Sequence, residues 1–402
     1  MKKKLCKITA LLLAAALSLG GCGQPGAGKK STDSTQQAEE QTWDTKDDQS
    51  KSDKKGPEIE GLTYESTMDL TYATEFDVYY YKDGYKLLDV HEDRQYLVVP
   101  EGKEAPEGLP ENLVVLQQPL DHIYMTAIMS LVDAVDAIDQ VKFSGVNASG
   151  WYVEDAKKAM ESGDMIYAGK YSEPDYETLV NGECDLAVES TMILHTPKVQ
   201  EMIEDLDIPV FVDYSSYESH PLGRTEWIKL YGAMLNKEDA ADRFFEEQAQ
   251  VIEKLKGFEN TEKTVVYFYV NTDGSIVVRK SEDYIPSMIE IAGGRYAFKN
   301  LKNADSNAPS VKLTMEEFYA TAVDADYLIY NGTIDGQVKS ISDLEAKSNL
   351  FSEFKAVKEG NVWYTGKNLY QATDTVGELI MDMHLMLTDG DPKEMTFLEK
   401  MK

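Results

Sequence analysis

Lys237–Lys256 reads KEDAADRFFEEQAQVIEKLK, twenty residues with no Gly or Pro. A stretch without helix breakers is expected to run as one continuous helix, and at 1.5 Å per residue it reaches roughly 30 Å. Asn236, with Asp239 three residues on, is placed as its N-cap. A first helix, about Thr225 to Leu235, precedes it. A helix this long can cross from one lobe to another, so the architecture depends on what flanks it.

Upstream, from Asn112, strands and helices alternate. Leu113 to Leu116 is an apolar strand, and Ile123 to Ile138 is expected as a helix with Ile128, Leu131, Val132 and Val135 on one face. Val141 to Val146, Met165 to Ala168, Leu186 to Val188 and Pro209 to Val212 follow as strands. Glu154 to Met160, Asp175 to Val180 and Pro197 to Leu206 are the intervening helices. Such alternation argues for a parallel sheet covered on both faces. Further upstream, Phe76, Val78 and Tyr80 alternate before a Lys82-Asp83-Gly84 turn, and Tyr85 to Leu88 and Tyr96 to Val99 continue a small antiparallel decoration.

Downstream the pattern restarts. Thr264 to Val270 and Ile276 to Val278 flank the turn Thr272-Asp273-Gly274. Helices follow at Tyr284 to Ala292, Met315 to Ala322 and Thr375 to Leu387, with strands at Tyr327 to Tyr330 and Val362 to Tyr364. The fold class is therefore α/β, two Rossmann-like lobes joined by one long helix, with a small N-terminal antiparallel β decoration.

The start of the chain reads as an export leader. Lys2, Lys3, Lys4 and Lys7 precede an apolar run, Ile8 to Leu19, too short for a permanent membrane span. It ends in Leu19-Gly20-Gly21-Cys22, where small residues suit a narrow cleavage site and the Cys22 thiol can accept lipid. This looks like a bacterial lipobox. The stretch to about Glu60 is polar and is expected to be a flexible tether; some 35 residues span roughly 30–35 Å. The boundaries are 1–21 leader, 22–60 tether, 61–235 first lobe with its decoration at 70–100, 236–257 inter-lobe helix and 258–402 second lobe.

The three cysteines, Cys6, Cys22 and Cys184, leave no pair for a disulfide in the body or for a cysteine zinc site, and Cys184 is expected to pack as a small apolar group. The net charge of −31 excludes nucleic acid and anionic lipid as charge-driven partners.

Several stretches in order carry a family resemblance. Tyr171-Ser172-Glu173-Pro174-Asp175-Tyr176-Glu177 is followed by the strand Cys184-Asp185-Leu186-Ala187-Val188. Glu218-Ser219-His220-Pro221-Leu222-Gly223-Arg224 leads into Glu226-Trp227-Ile228-Lys229-Leu230-Tyr231. Leu313-Thr314-Met315-Glu316-Glu317-Phe318 precedes Asp326-Tyr327-Leu328-Ile329-Tyr330. Over roughly Leu113 to Leu387 the chain resembles periplasmic-type binding proteins with a single rigid inter-lobe helix, which serve importers of iron-siderophores, haem and cobalamin.

That resemblance implies a monomer anchored to the outer face of the cell membrane by lipid on Cys22. It would have no resident cofactor and would carry a ferric chelate to an ABC permease and its ATPase. The long tether leans towards a Gram-positive-type surface. An acidic residue on each lobe would dock onto permease arginines; by position these are Glu177 and Glu316, with Glu173, Asp175 and Glu317 as neighbouring substitutes. Such pairing fixes orientation and speeds encounter.

The ligand is expected between the lobes, on loops leaving the carboxyl ends of strands. The first lobe offers Tyr124, Trp151, Tyr152, Lys170 and Tyr171, then Ser190, Thr191, Met192 and His195, then Tyr214, Tyr217 and Arg224. The second offers Tyr269, Asn271, Arg295, Tyr296, Asn331, Lys367 and Tyr370. Aromatic faces suit a large flat chelate and cationic groups suit anions. Arg224, Arg279 and Arg295 are few for a highly anionic ligand, and His220 with Arg224 also fits a brace for the loop before the first helix. His195 near Met192 fits haem iron, so haem and corrinoid stand as alternatives. No Gly-x-Ser-x-Gly elbow, zinc-protease signature or phosphate-cradling loop is present. Ser190 with His195 lacks an evident third member, so a binding protein rather than an enzyme is expected.

Overall fold

The computed structural model describes residues 55–91, 93–110, 112–302 and 308–402 of the 402-residue chain. The expected leader, Cys22 and most of the tether lie outside these residues. The tether is shorter than expected at its far end. Gly56 is buried, and the Pro57 carbonyl accepts a hydrogen bond from the Tyr81 hydroxyl at 2.6 Å.

Strands β1 (Tyr64–Thr67), β2 (Phe76–Tyr81), β3 (Lys86–Val90), β4 (Gln95–Val99) and β5 (Leu113–Gln117) form the first sheet in that order. β1 to β4 are antiparallel, while β5 joins β4 in parallel. One face carries Phe76, Val78 and Leu88 into the first lobe's core, and the other packs Tyr79, Tyr81 and Leu87 beneath Ile59 and Leu62. β5 corrects one expectation: Leu113 to Leu116 belongs to this sheet and not to the parallel sheet of the lobe. A short apolar run fits any buried strand, and its period does not select a sheet.

The first lobe begins with β6 (Ile123–Met125), where a helix was expected. Only Met129–Ala134 is helical (α1). Ile128 stands between them at φ 61°, a left-handed conformation that a β-branched residue rarely adopts and through which a right-handed helix cannot run. Then come β7 (Val141–Ser144), α2 (Glu154–Ser162), β8 (Ile166–Tyr167), the small hairpin β9 (Gly169–Lys170) and β10 (Glu173–Pro174), α3 (Tyr176–Asn181), β11 (Leu186–Ser190), α4 (Pro197–Glu204) and β12 (Val210–Asp213). The sheet order is β12-β11-β6-β7-β8, all parallel. The chain therefore builds outward one way from β6, then reverses to place β11 on its other side.

Helices α5 (Pro221–Leu235) and α6 (Glu238–Leu255) form a tight hairpin. Asn236 is not the N-cap of α6. It sits at φ 57° as the left-handed C-cap of α5, with its N–H donating to the Gly232 carbonyl. The two helices approach so closely at Gly232 that a Cβ there would lie 2.7 Å from that of Ala241. α5 is buried almost all round, as befits a helix wedged between layers. α6 contributes Ala241 and Phe245 to the first core and Leu255 to the second, and Ile252 packs against both.

The second lobe contains β13 (Thr264–Val270), β14 (Ile276–Arg279), α7 (Tyr284–Ile291), β15 (Arg295–Tyr296), β16 (Ser310–Leu313), α8 (Met315–Ala322), β17 (Tyr327–Tyr330), α9 (Ile341–Lys347), α10 (Lys355–Glu359), β18 (Val362–Thr365), α11 (Val376–Leu387) and β19 (Leu398–Lys400). β13, β17 and β18 are parallel; β14 pairs antiparallel with β13 and carries β16 antiparallel at one edge, and β19 pairs antiparallel with β18 at the other. The protein is thus a two-lobed α/β fold, each lobe with its own core, preceded by an N-terminal sheet.

Candidate functional site

In an open α/β sheet a ligand crevice lies outside the carboxyl ends of the strands, where strand order reverses. In the first lobe that point falls between β6 and β11. Thr126, just past β6, donates its hydroxyl to Glu189 Oε2 at 2.6 Å. Glu189 is fully buried, its other oxygen has no partner, and burial pushes its carboxyl up to about 8. Gly145, past β7, lies against Thr126, where a Cβ would meet Thr126 Cγ2 at 2.6 Å. These residues form the floor.

The opposite wall comes from the second lobe, and Arg224 of the first lobe reaches across to it. Arg224, on the first turns of α5, lies 4.1 Å over the Tyr284 ring of α7, and Arg279 approaches the same ring at 5.4 Å. Arg224 Nε is buried without a hydrogen-bond partner. Asn331, past β17, is buried and accepts from the Thr333 N–H and hydroxyl. At the rim the Tyr152 and Tyr370 rings stand 6.3 Å apart at 87°. Asp133 of α1 is pushed up to about 6, by burial first and then by Asp155 and by Asp374 of the other lobe.

The walls touch here, and the open grooves lie elsewhere. One of about 760 Å³ runs between β1 and the start of α6, lined by Glu65, Tyr80, Lys237, Glu238 and Arg243. None of its lining residues lies on a loop leaving the carboxyl end of a strand in either lobe's sheet.

Several expected contacts are relocated. Tyr124 lies in β6 with no exposure, its hydroxyl bound to the Gly169 carbonyl at 2.9 Å. Tyr296 is likewise core, donating to the Arg279 carbonyl. Arg295 pairs with Glu262 at the amino-terminal end of β13, the wrong edge of the sheet. Trp151 is buried and donates to the Ser144 hydroxyl at 2.8 Å. Tyr214 is buried against Tyr217, and its hydroxyl is pushed up to about 12 by burial first and then by Asp93 in the β3–β4 turn. Asn271 serves the β13–β14 turn, and Tyr269 is half-buried beside it. Lys170 pairs with Glu173 across the β9–β10 hairpin, whose turn holds Tyr171. Aromatic residue type alone does not separate a core tyrosine from a rim tyrosine.

Other expectations sit at strand ends. Ser190 ends β11, and Thr191, Met192 and His195 follow it; the Ser190 hydroxyl accepts from the Met192 N–H, and Met192 and His195 are exposed. Lys367 and Tyr370 are exposed past β18. Reading by residue type missed Glu189, Thr126, Tyr284 and Gln371; the position of Glu189 one residue before Ser190 at a strand end was the only signal for any of them.

Among the proposed docking residues, Glu177 and Glu316 are exposed on the first turns of α3 and α8. Asp175 and Glu317 instead cap those helices, and Glu173 holds Lys170. His220 caps α5 by accepting from the Leu222 N–H and stacks 4.5 Å from Tyr72, which is the bracing role. Cys184 is buried, and burial pushes its thiol up to about 12. Among the described residues one cluster has metal-ligand spacing: Asp121, His122 and Asp185, at the amino-terminal edge opposite the cleft. Its atoms hold one another and the backbone, Asp185 Oδ2 accepting from the Asp121 and His122 N–H groups.

Residues 126–369 match the periplasmic binding protein family, and the chain belongs to that family. The N-terminal sheet lies outside the matched region. In sequence the chain is similar to an uncharacterized lipoprotein of Methanocaldococcus jannaschii, 26% identical over 303 residues, 70% of this chain and 69% of that protein. In fold it is similar to an ABC transporter substrate-binding protein of Listeria monocytogenes, with TM-score 0.51, 19% identity, and coverage of 67% of this chain and 98% of the other. It is also similar to a petrobactin-binding protein of Bacillus subtilis, with TM-score 0.53, 17% identity, and coverage of 66% and 92%.

Proposed function

We propose that this chain is the substrate-binding component of an ABC importer, tethered by lipid on Cys22 outside the cell membrane, and that it carries a ferric siderophore-type chelate. The observation that carries this reading is the placement of exposed apolar groups. Tyr152, Tyr167 and Met192 of the first lobe and Ile334 and Tyr370 of the second are all exposed, and all lie at carboxyl ends of strands or on the segments that leave them. Large apolar groups left in water along one rim mark a binding surface. Few cations stand there, which favours a chelate whose charge is largely neutralised by its metal.

A haem ligand is the second reading. Met192 and His195 are both exposed and three apart in one 3-10 turn, where such positions eclipse each other. Glu177 and Glu316 are the proposed permease contacts, one carboxylate on each lobe with no ion pair among the described residues.

The test is uptake of ⁵⁵Fe-loaded siderophore by cells lacking the gene. Restoration by the wild-type chain and not by Glu177→Ala/Glu316→Ala, with chelate affinity unchanged, is expected. Full uptake without the gene would overturn the assignment, and lost affinity in the double variant would place those carboxylates in the cleft.

A further inference from the structure

Residues 370–374, between β18 and α11, form a seam against the first lobe. The Thr373 carbonyl accepts the Thr225 hydroxyl of α5 at 3.0 Å. Two residues earlier the contact is more specific. Gln371 Oε1 accepts the Tyr152 N–H at 2.7 Å, and Nε2 donates to the Gly150 carbonyl at 2.9 Å and to the Tyr370 hydroxyl at 2.6 Å. The Tyr370 hydroxyl also reaches the Gly150 carbonyl at 3.4 Å. One side-chain amide thereby reads the main chain of residues 150–152 as a neighbouring strand would, giving a donor to one carbonyl and an acceptor to one N–H. Both hydrogens and the oxygen are engaged, which fixes the orientation of the amide.

We infer that Gln371 is a positioning residue for ligand binding: its amide latches the loop after β7 to the loop after β18, sets the separation of the cleft walls, and holds Tyr152 and Tyr370 edge-to-face across the mouth. The two rings are 42% and 57% exposed, so packing alone does not hold them, whereas the amide touches the backbone of one and the hydroxyl of the other. A chelate wider than this closed mouth enters only when the latch opens. Loss of the latch therefore speeds both capture and release. That consequence rests on the cleft being the ligand site, but the latch itself is tested without any ligand.

The experiment is hydrogen–deuterium exchange on the full chain in detergent, reading the Tyr152 amide with the Ala187 amide, donated to Pro209 within the sheet, as internal reference. Gln371→Ala is expected to exchange at Tyr152 about 5- to 10-fold faster than wild type, the worth of one or two hydrogen bonds, with Ala187 unchanged. Gln371→Glu supplies the second arm. Ionised, it accepts from Tyr152 but sets a negative oxygen against the Gly150 carbonyl. Protonated, as pH falls through roughly 4.3, it regains a donor. Its Tyr152 exchange, relative to wild type at the same pH, is expected to lie between wild type and the alanine variant near pH 7.5, because the acceptor remains while the donor to Gly150 is replaced by repulsion, and to return towards wild type in acid. Equal Tyr152 exchange in wild type and Gln371→Ala overturns the latch, as does a glutamate variant without pH dependence. Acceleration extending to Ala187 would make Gln371 a support of the whole fold and would also overturn it.

Discussion

Glu189 on β11, Glu218 just before α5 and Glu226 within it show what burial does to a carboxylate when its partners differ. Glu226, also without exposure, accepts from the N–H groups of Thr71, Tyr72 and Ala73, and Glu218 accepts from those of Thr74 and Glu75 and from Trp227 Nε1. Glu189 has one donor, Thr126, and one bare oxygen. Burial raises its carboxyl to about 8 against an ordinary 4.5. The folded state therefore keeps a proton that the unfolded state has lost between these values. The contribution of this group to stability falls as pH rises through that window, by at most about 1.4 kcal/mol per pH unit. Glu189→Gln, which cannot ionise, is expected to flatten this part of the stability–pH profile and to raise the melting temperature at pH 8 more than at pH 5. An unchanged profile in urea or thermal unfolding would mean that Glu189 is already ionised in the fold. Nothing in the residue order Glu189-Ser190-Thr191 announces this: it follows from β6 and β11 being neighbours, a pairing between segments some sixty residues apart.

At the scale of elements, the stretch Glu218 to Tyr231 was legible as important, but its role was not. Its resemblance to the family placed it near the cleft, and Arg224 does face the other lobe. Glu218 and Glu226 instead gather five consecutive backbone N–H groups, Thr71 to Glu75, and so pin the N-terminal sheet onto α5. At the other end of α5, buried Lys86 of β3 donates to the Ala233 carbonyl and Asn236 Oδ1 and pairs with Glu238. The sheet is thus bolted at both ends of one helix. Glu226→Gln turns an acceptor into a donor facing N–H groups and is expected to lower stability by about 2–3 kcal/mol. Limited proteolysis should then cut first near residues 70–75. Wild-type resistance there would show that the sheet holds without the carboxylate. Helices with clear periodicity and caps were legible: Met315–Ala322 has the expected limits, closed by the Thr314–Glu317 capping box. Short apolar segments were not. Ile123–Met125 and Leu113–Gln117 carry too few residues for their period to distinguish helix from strand or one sheet from another, and tertiary pairing decides them.

In the whole molecule, two cores are bridged by α6, and the carboxyl ends of the two sheets meet where Tyr152, Gln371 and Tyr370 join. The lobe order and the bridging helix could be read from Lys237–Lys256 and the alternation around it, because helix length and strand–helix rhythm are local properties. The lining of the cleft could not, because it depends on which loops face each other. The 24 tyrosines divide between core, turn and rim without any local mark. A helix that crosses between lobes resists bending, so the lobes are expected to open by a small angle, with most of the change at the 370–374 seam.

The central claim, that the cleft between the lobes takes a ferric chelate, is tested most directly by tryptophan-fluorescence titration with ferric siderophores, a corrinoid and haem, on wild type and on Tyr152→Ala/Tyr370→Ala. Trp151 lies beside the rim and reports on it. Saturable quenching by a ferric siderophore at submicromolar concentration, weakened about tenfold or more by the double variant, is the predicted result, since each lost aromatic contact is worth about 0.5–1.5 kcal/mol beyond the area it buries. Quenching by haem or the corrinoid alone would keep the site and replace the ligand. Binding that the double variant leaves untouched, or no binding by any of the three, would contradict the account.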